Sequence, residues 1–198
     1  DRFTKLQLFE NRIDNLDFIF PITLKNLIFL NLNNNKITTI PSNTFKHLNR
    51  MEYLYLSHNP IVHFEPECFS HLTSLGELKL EQNVELKELN NDSLFQGMNN
   101  LLRLYFINSA IEEVSNMNFA NLANLRQIYF NNNMIRNFQV ISIQNQTIVL
   151  SLKILNLYKN YLKKLQNNMF IMFKNLEIIN LGSNLIDCIE IDAFNGLE

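Results

Sequence analysis

Residues 27–50, LIFLNLNNNKITTIPSNTFKHLNR, run directly into residues 51–74, MEYLYLSHNPIVHFEPECFSHLTS, and the two 24-residue lines share one spacing. The first places Leu27, Leu30, Leu32, Asn35, Ile37, Ile40, Phe45 and Leu48; the second places Met51, Leu54, Leu56, Asn59, Ile61, Phe64, Phe69 and Leu72 at the same offsets. Self-similarity at a fixed period of this size marks stacked coils, each too small to bury its own apolar face, and it outranks local propensity.

The same spacing extends both ways from this pair. Towards the N-terminus it continues through Phe3, Leu6, Leu8, Asn11, Ile13 and Leu16, then departs at Phe20-Pro21, where a later line has its single Phe. Towards the C-terminus a fourth line (Leu75, Leu78, Leu80, Asn83) slips at Leu86 and Leu89 and is 26 residues long before the fifth opens at Leu101. The fifth carries Ser109 at the Asn position. The sixth (Leu125, Ile128, Phe130, Asn133, Ile135, Phe138) trails through 139–151 without its Phe and is 27 long, whereas the seventh from Leu152 and the eighth from Leu176 are regular. The reading is of one array over residues 1–198, with no cysteine-rich cover at either end and so taken as the middle of a longer chain.

Each residue type has a mechanical task. Leu-x-Leu alternates with period two, so a short strand buries both Leu and turns the residue between them outward, and successive coils pair these strands in parallel. The Asn amide both donates and accepts, so it can satisfy backbone groups left unpaired where the strand ends; Asn11, Asn35, Asn59, Asn83, Asn133, Asn160 and Asn184 are read as a structural ladder with Ser109 as its weaker rung. Phe45, Phe69, Phe95, Phe119, Phe170 and Phe194 form a second column, expected to fill the outer side of each coil.

The 24-residue line ending in Phe-x-x-Leu, with Pro41 after Ile40, resembles the typical class of extracellular leucine-rich repeats found in Toll-like receptor ectodomains, Slit, chaoptin and insect leucine-rich immune proteins. The resemblance implies an α/β solenoid: a right-handed leucine-rich-repeat horseshoe of about eight repeats, with a concave parallel β-sheet and irregular or 3₁₀ convex arcs. It implies an extracellular recognition module of innate-immune or cell-adhesion type, secreted or on the cell surface, whose partner is a protein ligand or co-receptor, or a microbial ligand. An intracellular scaffold and a structural spacer within a larger ectodomain are the alternatives.

Composition narrows the classes further. A net charge of −2 supplies no basic face, so no nucleic acid is expected as partner, and a membrane would be met only through a segment outside this chain. No glycine-rich phosphate loop or nucleophile with a placed base occurs, so neither catalysis nor a cofactor is expected. His63, Glu65, Glu67, Cys68 and His71 spread around one coil and are read as solvated or satisfied side chains, with no metal. Cys68 and Cys188 lie five repeats apart, at least about 20 Å at the strand spacing, too far to pair with each other, and are expected as partly buried thiols, the alternative being a bridge to a segment outside this chain. Two sequons, at Asn91 and Asn145, suit a secreted protein and fall in the two overlong repeats.

Function then belongs on the outward positions of the strands. The third residues of the lines are Lys5, Phe29, Tyr53, Glu77, Arg103, Gln127, Ile154 and Ile178, and the fifth are Gln7, Asn31, Tyr55, Lys79, Tyr105, Tyr129, Asn156 and Asn180. Tyr gathers here, with Tyr158 just beyond. Strand propensity alone would place some Tyr in this way. The cluster is contiguous and flanks charges, however, and Tyr and Arg are interface anchors, so Phe29, Tyr53, Tyr55, Glu77, Lys79, Arg103, Tyr105, Tyr129 and Tyr158 are the candidate binding residues, all expected to be solvent-exposed.

Overall fold

The computed structural model describes residues 3–89, 93–114, 122–138 and 151–197. Every Leu-x-Leu segment forms a three-residue strand: β1 (Lys5–Gln7), β2 (Phe29–Asn31), β4 (Tyr53–Tyr55), β6 (Glu77–Lys79), β7 (Arg103–Tyr105), β9 (Gln127–Tyr129), β11 (Ile154–Asn156) and β13 (Ile178–Asn180). These join in that order into one eight-stranded sheet, and every pair is parallel. Seven full turns of a solenoid therefore separate β1 from β13. The middle residue of each strand points into the stack, where Leu30, Leu54, Leu78, Leu104 and Leu155 are wholly buried.

The Asn ladder is present from Asn35 onward, whereas Asn11, exposed in the first coil, donates to Leu8 O and Phe9 O of its own coil. Asn59 Nδ2 donates to Leu32 O in the preceding coil (3.1 Å) and to Leu56 O in its own (3.0 Å), while its Oδ1 accepts from Ile37 N at 3.1 Å. Asn35, Asn133, Asn160 and Asn184 repeat this lattice. At the fifth coil Ser109 reaches back only with Oγ to Leu80 O, at 3.4 Å. The N–H of Leu86, in the slipped fourth repeat, turns instead to Asn83 O of its own coil at 3.0 Å.

The residue before each rung bends the chain. Glu10, Asn34, His58, Gln82, Asn108, Asn132, Lys159 and Ser183 all have φ between 53° and 58°, a left-handed conformation that costs energy without glycine. That turn aims an N–H at the next coil, as from His58 N to Glu81 O at 2.8 Å.

The outer side holds more order than irregular arcs. Two-residue strands β3 (Thr39–Ile40), β5 (His63–Phe64), β8 (Glu113–Val114), β10 (Asn137–Phe138), β12 (Lys164–Leu165) and β14 (Cys188–Ile189) pair in parallel as β3–β5, β8–β10 and β12–β14. One 3₁₀ turn, Ile22–Leu24, occurs among the described residues. The Phe column stacks: Phe45 lies 6.1 Å from Phe69, and Phe20, one position out of register, still fills the first coil at 6.0 Å from Phe45. Phe138 supplies aromatic bulk to the sixth coil, 6.4 Å from Phe130 and 6.3 Å from Phe173. Phe119, Asn91, Asn145 and the arc 139–150 lie outside the described residues.

Candidate functional site

Strand register fixes which outward side chains meet. Tyr55, Lys79, Tyr105 and Tyr129 are successive partners across β4, β6, β7 and β9, as are Tyr53, Glu77, Arg103 and Gln127 in the neighbouring column. Lys79 Nζ sits 4.7 Å from the Tyr55 ring centre and 5.3 Å from that of Tyr105. The Tyr105 and Tyr129 rings lie parallel, 4.9 Å apart with 2° between their planes. On the other flank Phe29 meets Tyr55 edge-on at 5.1 Å and Tyr53 tilted at 6.3 Å, and Lys5 Nζ rests 4.7 Å over the Phe29 ring. Such cation–π contacts contribute about 0.5–1 kcal/mol each where exposed, and together they hold a chain of rings and ammonium groups from β1 to β9.

Beneath this chain lies a carboxylate. Glu77 keeps only 6% of its surface exposed, which corrects its placing among solvent-exposed residues: the aromatic and cationic side chains of three strands close over it. Tyr55 OH donates to Oε1 at 2.7 Å, Arg103 Nε donates to Oε2 at 2.6 Å, and Lys79 Nζ stands 3.6 Å from Oε1. Burial alone would push the Glu77 carboxyl upward; the hydrogen bonds from Tyr55 and Arg103 and the two cations outweigh it and hold the carboxyl below its usual range. The Tyr55 hydroxyl is pushed up, first by burial and then by its bond to Glu77. Glu77 is therefore an anchor that orients Tyr55, Lys79 and Arg103, whose remaining surface is open to solvent.

Eight of the nine candidate residues thus form one cluster. Tyr158 stands apart, beyond β11, half-exposed and close to Gly182. Sequence reasoning passed over two members: Lys5, which extends the cluster by one strand, and Gln127, whose Oε1 accepts from Tyr129 OH at 3.3 Å. Both stood in the third-position column. Among the described residues no three His, Cys, Asp or Glu side chains converge on a metal-holding point. The two thiols are not alike, as expected of partly buried groups, but opposite: Cys68 is buried and Cys188, on the outer strand β14, is exposed, and both are free.

The family model described as Leucine rich repeat matches residues 1–61, 30–84 and 151–198, together about two thirds of the chain. The chain belongs to the leucine-rich-repeat family. Its coils superpose on a TLR13–ssRNA13 complex with a TM-score of 0.81 and 28% identity, over 92% of this chain and 25% of that one. Mouse RP105, solved with MD-1, shares the fold at a TM-score of 0.78 and 22% identity, over 96% of this chain and 31% of that one. Internalin C2 of Listeria monocytogenes does so at 0.69 and 24%, over 98% and 77%. This leucine-rich-repeat chain spans a quarter to a third of the first two proteins' length. No curated protein matches it by sequence, and no helix among the described residues is long and apolar enough to cross a membrane.

Proposed function

We propose that this leucine-rich-repeat array is an extracellular recognition module of receptor or adhesion type, binding a protein ligand or co-receptor on the concave face of its sheet. The observation that carries the reading is the ordered column Tyr55–Lys79–Tyr105–Tyr129 above the Glu77–Arg103 pair. The coil has no need of aromatic rings at these outward positions, since the core is closed by Leu and Phe on the other side of the sheet. Rings already stacked, and cations already anchored, lose little side-chain freedom on meeting a partner, which is how interface anchors gain affinity. The extracellular setting follows from the resemblance of the repeat line.

A ligand other than protein stays in play through one likeness: the TLR13 structure, at 28% identity, is a complex with ssRNA13. The bland net charge of this chain does not by itself exclude nucleic acid.

The deciding experiment screens the chain, secreted from eukaryotic cells, against a library of soluble cell-surface and secreted proteins, with single-stranded RNA as a separate arm. Tyr105→Ala and Tyr129→Ala should weaken the partner found by about 2 kcal/mol or more if either is a hot spot, while Lys87→Ala and Lys163→Ala on the outer face leave it unchanged. Binding indifferent to the Tyr variants but lost with the outer-face ones would overturn the concave reading, and binding confined to RNA would replace the protein partner.

A further inference from the structure

Glycines in this chain are few, and the fold accounts for most of them. Gly97 has φ +83° and leaves no room for a Cβ, which would lie 2.1 Å from Ser70 O; Gly196 is similar, and Gly182 packs under the Tyr158 ring. Gly76 has no such reason. Its φ is outside the left-handed region, and a Cβ there would meet nothing nearer than Glu52 O at 3.7 Å, an ordinary contact. Its N–H and carbonyl are already engaged, with Glu52 O and with the N–H groups of Leu102 and Arg103. A glycine beside a strand costs stability relative to alanine, so its missing side chain calls for another explanation.

What that missing side chain opens is a notch of about 520 Å³ on the rim of the sheet, between Glu52 and Leu102, the residues at the equivalent position in the coils on either side. The volume falls in the roughly 300–1,000 Å³ range of small-molecule sites. Tyr53 and Arg103 line it from the sheet side, Asn100 and Asn124 from the other. Both amides are pinned through Nδ2, Asn100 to Thr73 O and Asn124 to Asn99 O, each at 2.8 Å, which leaves each Oδ1 as a held acceptor. Arg103 spends Nε on Glu77 and keeps its terminal N–H groups as donors, opposite the Glu52 carboxylate. The opposed charges favour neither an anion nor a cation. Donors, acceptors and one aromatic wall are the complement of a pyranose ring, whose hydroxyls do both and whose C–H face is apolar.

We propose that the Gly76 notch binds a neutral sugar unit. The notch shares Tyr53 and Arg103 with the concave cluster, but its test needs no protein partner, so it can fail while the concave-face reading stands, and the reverse. Saturation-transfer NMR on the whole chain, with free neutral hexoses and N-acetylhexosamines as probes, should show transfer to at least one of them. Gly76→Gln, which fills the notch, should abolish that transfer while leaving the melting temperature unchanged or higher. If Gly76→Gln does not fold, Gly76→Ala and Asn124→Ala are the readout, each lowering transfer several-fold. Absence of transfer from the unaltered chain to every probe, or transfer unchanged in these variants, overturns the proposal.

Discussion

Arg103 Nε donates to Glu77 Oε2 at 2.6 Å across adjacent strands, so the fourth and fifth coils are joined on the sheet face by a charge pair whose acidic member is almost fully buried. An outward residue that holds a buried charge is part of the fold as well as of the surface. Substitutions in this cluster must therefore be judged on stability before binding.

Arg103→Ala should destabilise the chain by about 1.5–3 kcal/mol, the range for hydrogen bonds to charged groups, because it leaves a buried carboxylate short of one donor. An exposed arginine would cost less than about 0.5 kcal/mol. Tyr105→Ala loses one stacked ring and one cation–π contact and should cost about 1 kcal/mol. Urea melts of the two variants in parallel check the order; equal, negligible effects would mean that Glu77 is satisfied without Arg103.

Acid should find the same pair. The Glu77 carboxyl is held below its ordinary value of 4.5 in the folded chain, so the folded state binds this proton less readily than the unfolded one. The stabilisation is complete above the ordinary value, fades as the pH falls below it, and is gone beneath the folded value. Glu65 and Glu190 shift in the same direction, so the clean measurement is a difference. The stability gap between the native chain and Glu77→Gln, followed from pH 7 down to about pH 3, should narrow with acid. A gap independent of pH would show that Glu77 contributes through shape alone.

The ladder makes a graded prediction. Asn59→Ala leaves the buried Ile37 N–H without its acceptor and takes one of two donors from the carbonyls of Leu32, which keeps Asn35 Nδ2, and Leu56, which keeps Asn83 Nδ2, and should cost about 1–3 kcal/mol. Ser109→Ala removes one long bond to Leu80 O and should cost about 1 kcal/mol or less. Denaturant midpoints for the two would reverse the argument if Ser109 proved the more expensive.

Thiol chemistry separates the two cysteines. Cys188 is exposed, whereas Cys68 is buried and its thiol is pushed up by that burial, away from the reactive thiolate. A maleimide should add once to the native chain and a second time only in denaturant, at Cys68. Two additions under native conditions would mean that the third coil opens readily.

The repeat period made the sheet, its register and the Asn rungs legible, because Leu and Asn recur where one backbone geometry demands them. Phe20 was harder: it fills the Phe column from one position out of register, which stacking allows and a fixed spacing does not reveal. The outer pairs β3–β5, β8–β10 and β12–β14 are two residues long, too short for any alternation to show. Tyr55, Lys79, Tyr105 and Tyr129 could be aligned by counting, but the burial of Glu77 could not. It arises from side chains on three strands leaning over one carboxylate, a property of their directions rather than of their order.

The solenoid is sewn unevenly along its length. Between the fourth and fifth coils the rung is a single 3.4 Å bond from Ser109, and on the outer side the Glu112 N–H to Lys87 O bond crosses where no described strand pair does; the Glu77–Arg103 clasp on the sheet face reinforces that seam. Drawn out from its two ends, the array should tear there first, as a book opens at a loosened signature. Single-molecule extension should record an early step that comes at lower force once Arg103 is replaced by alanine, and a tear beginning at an end coil instead would show that the clasp outweighs the missing stitches.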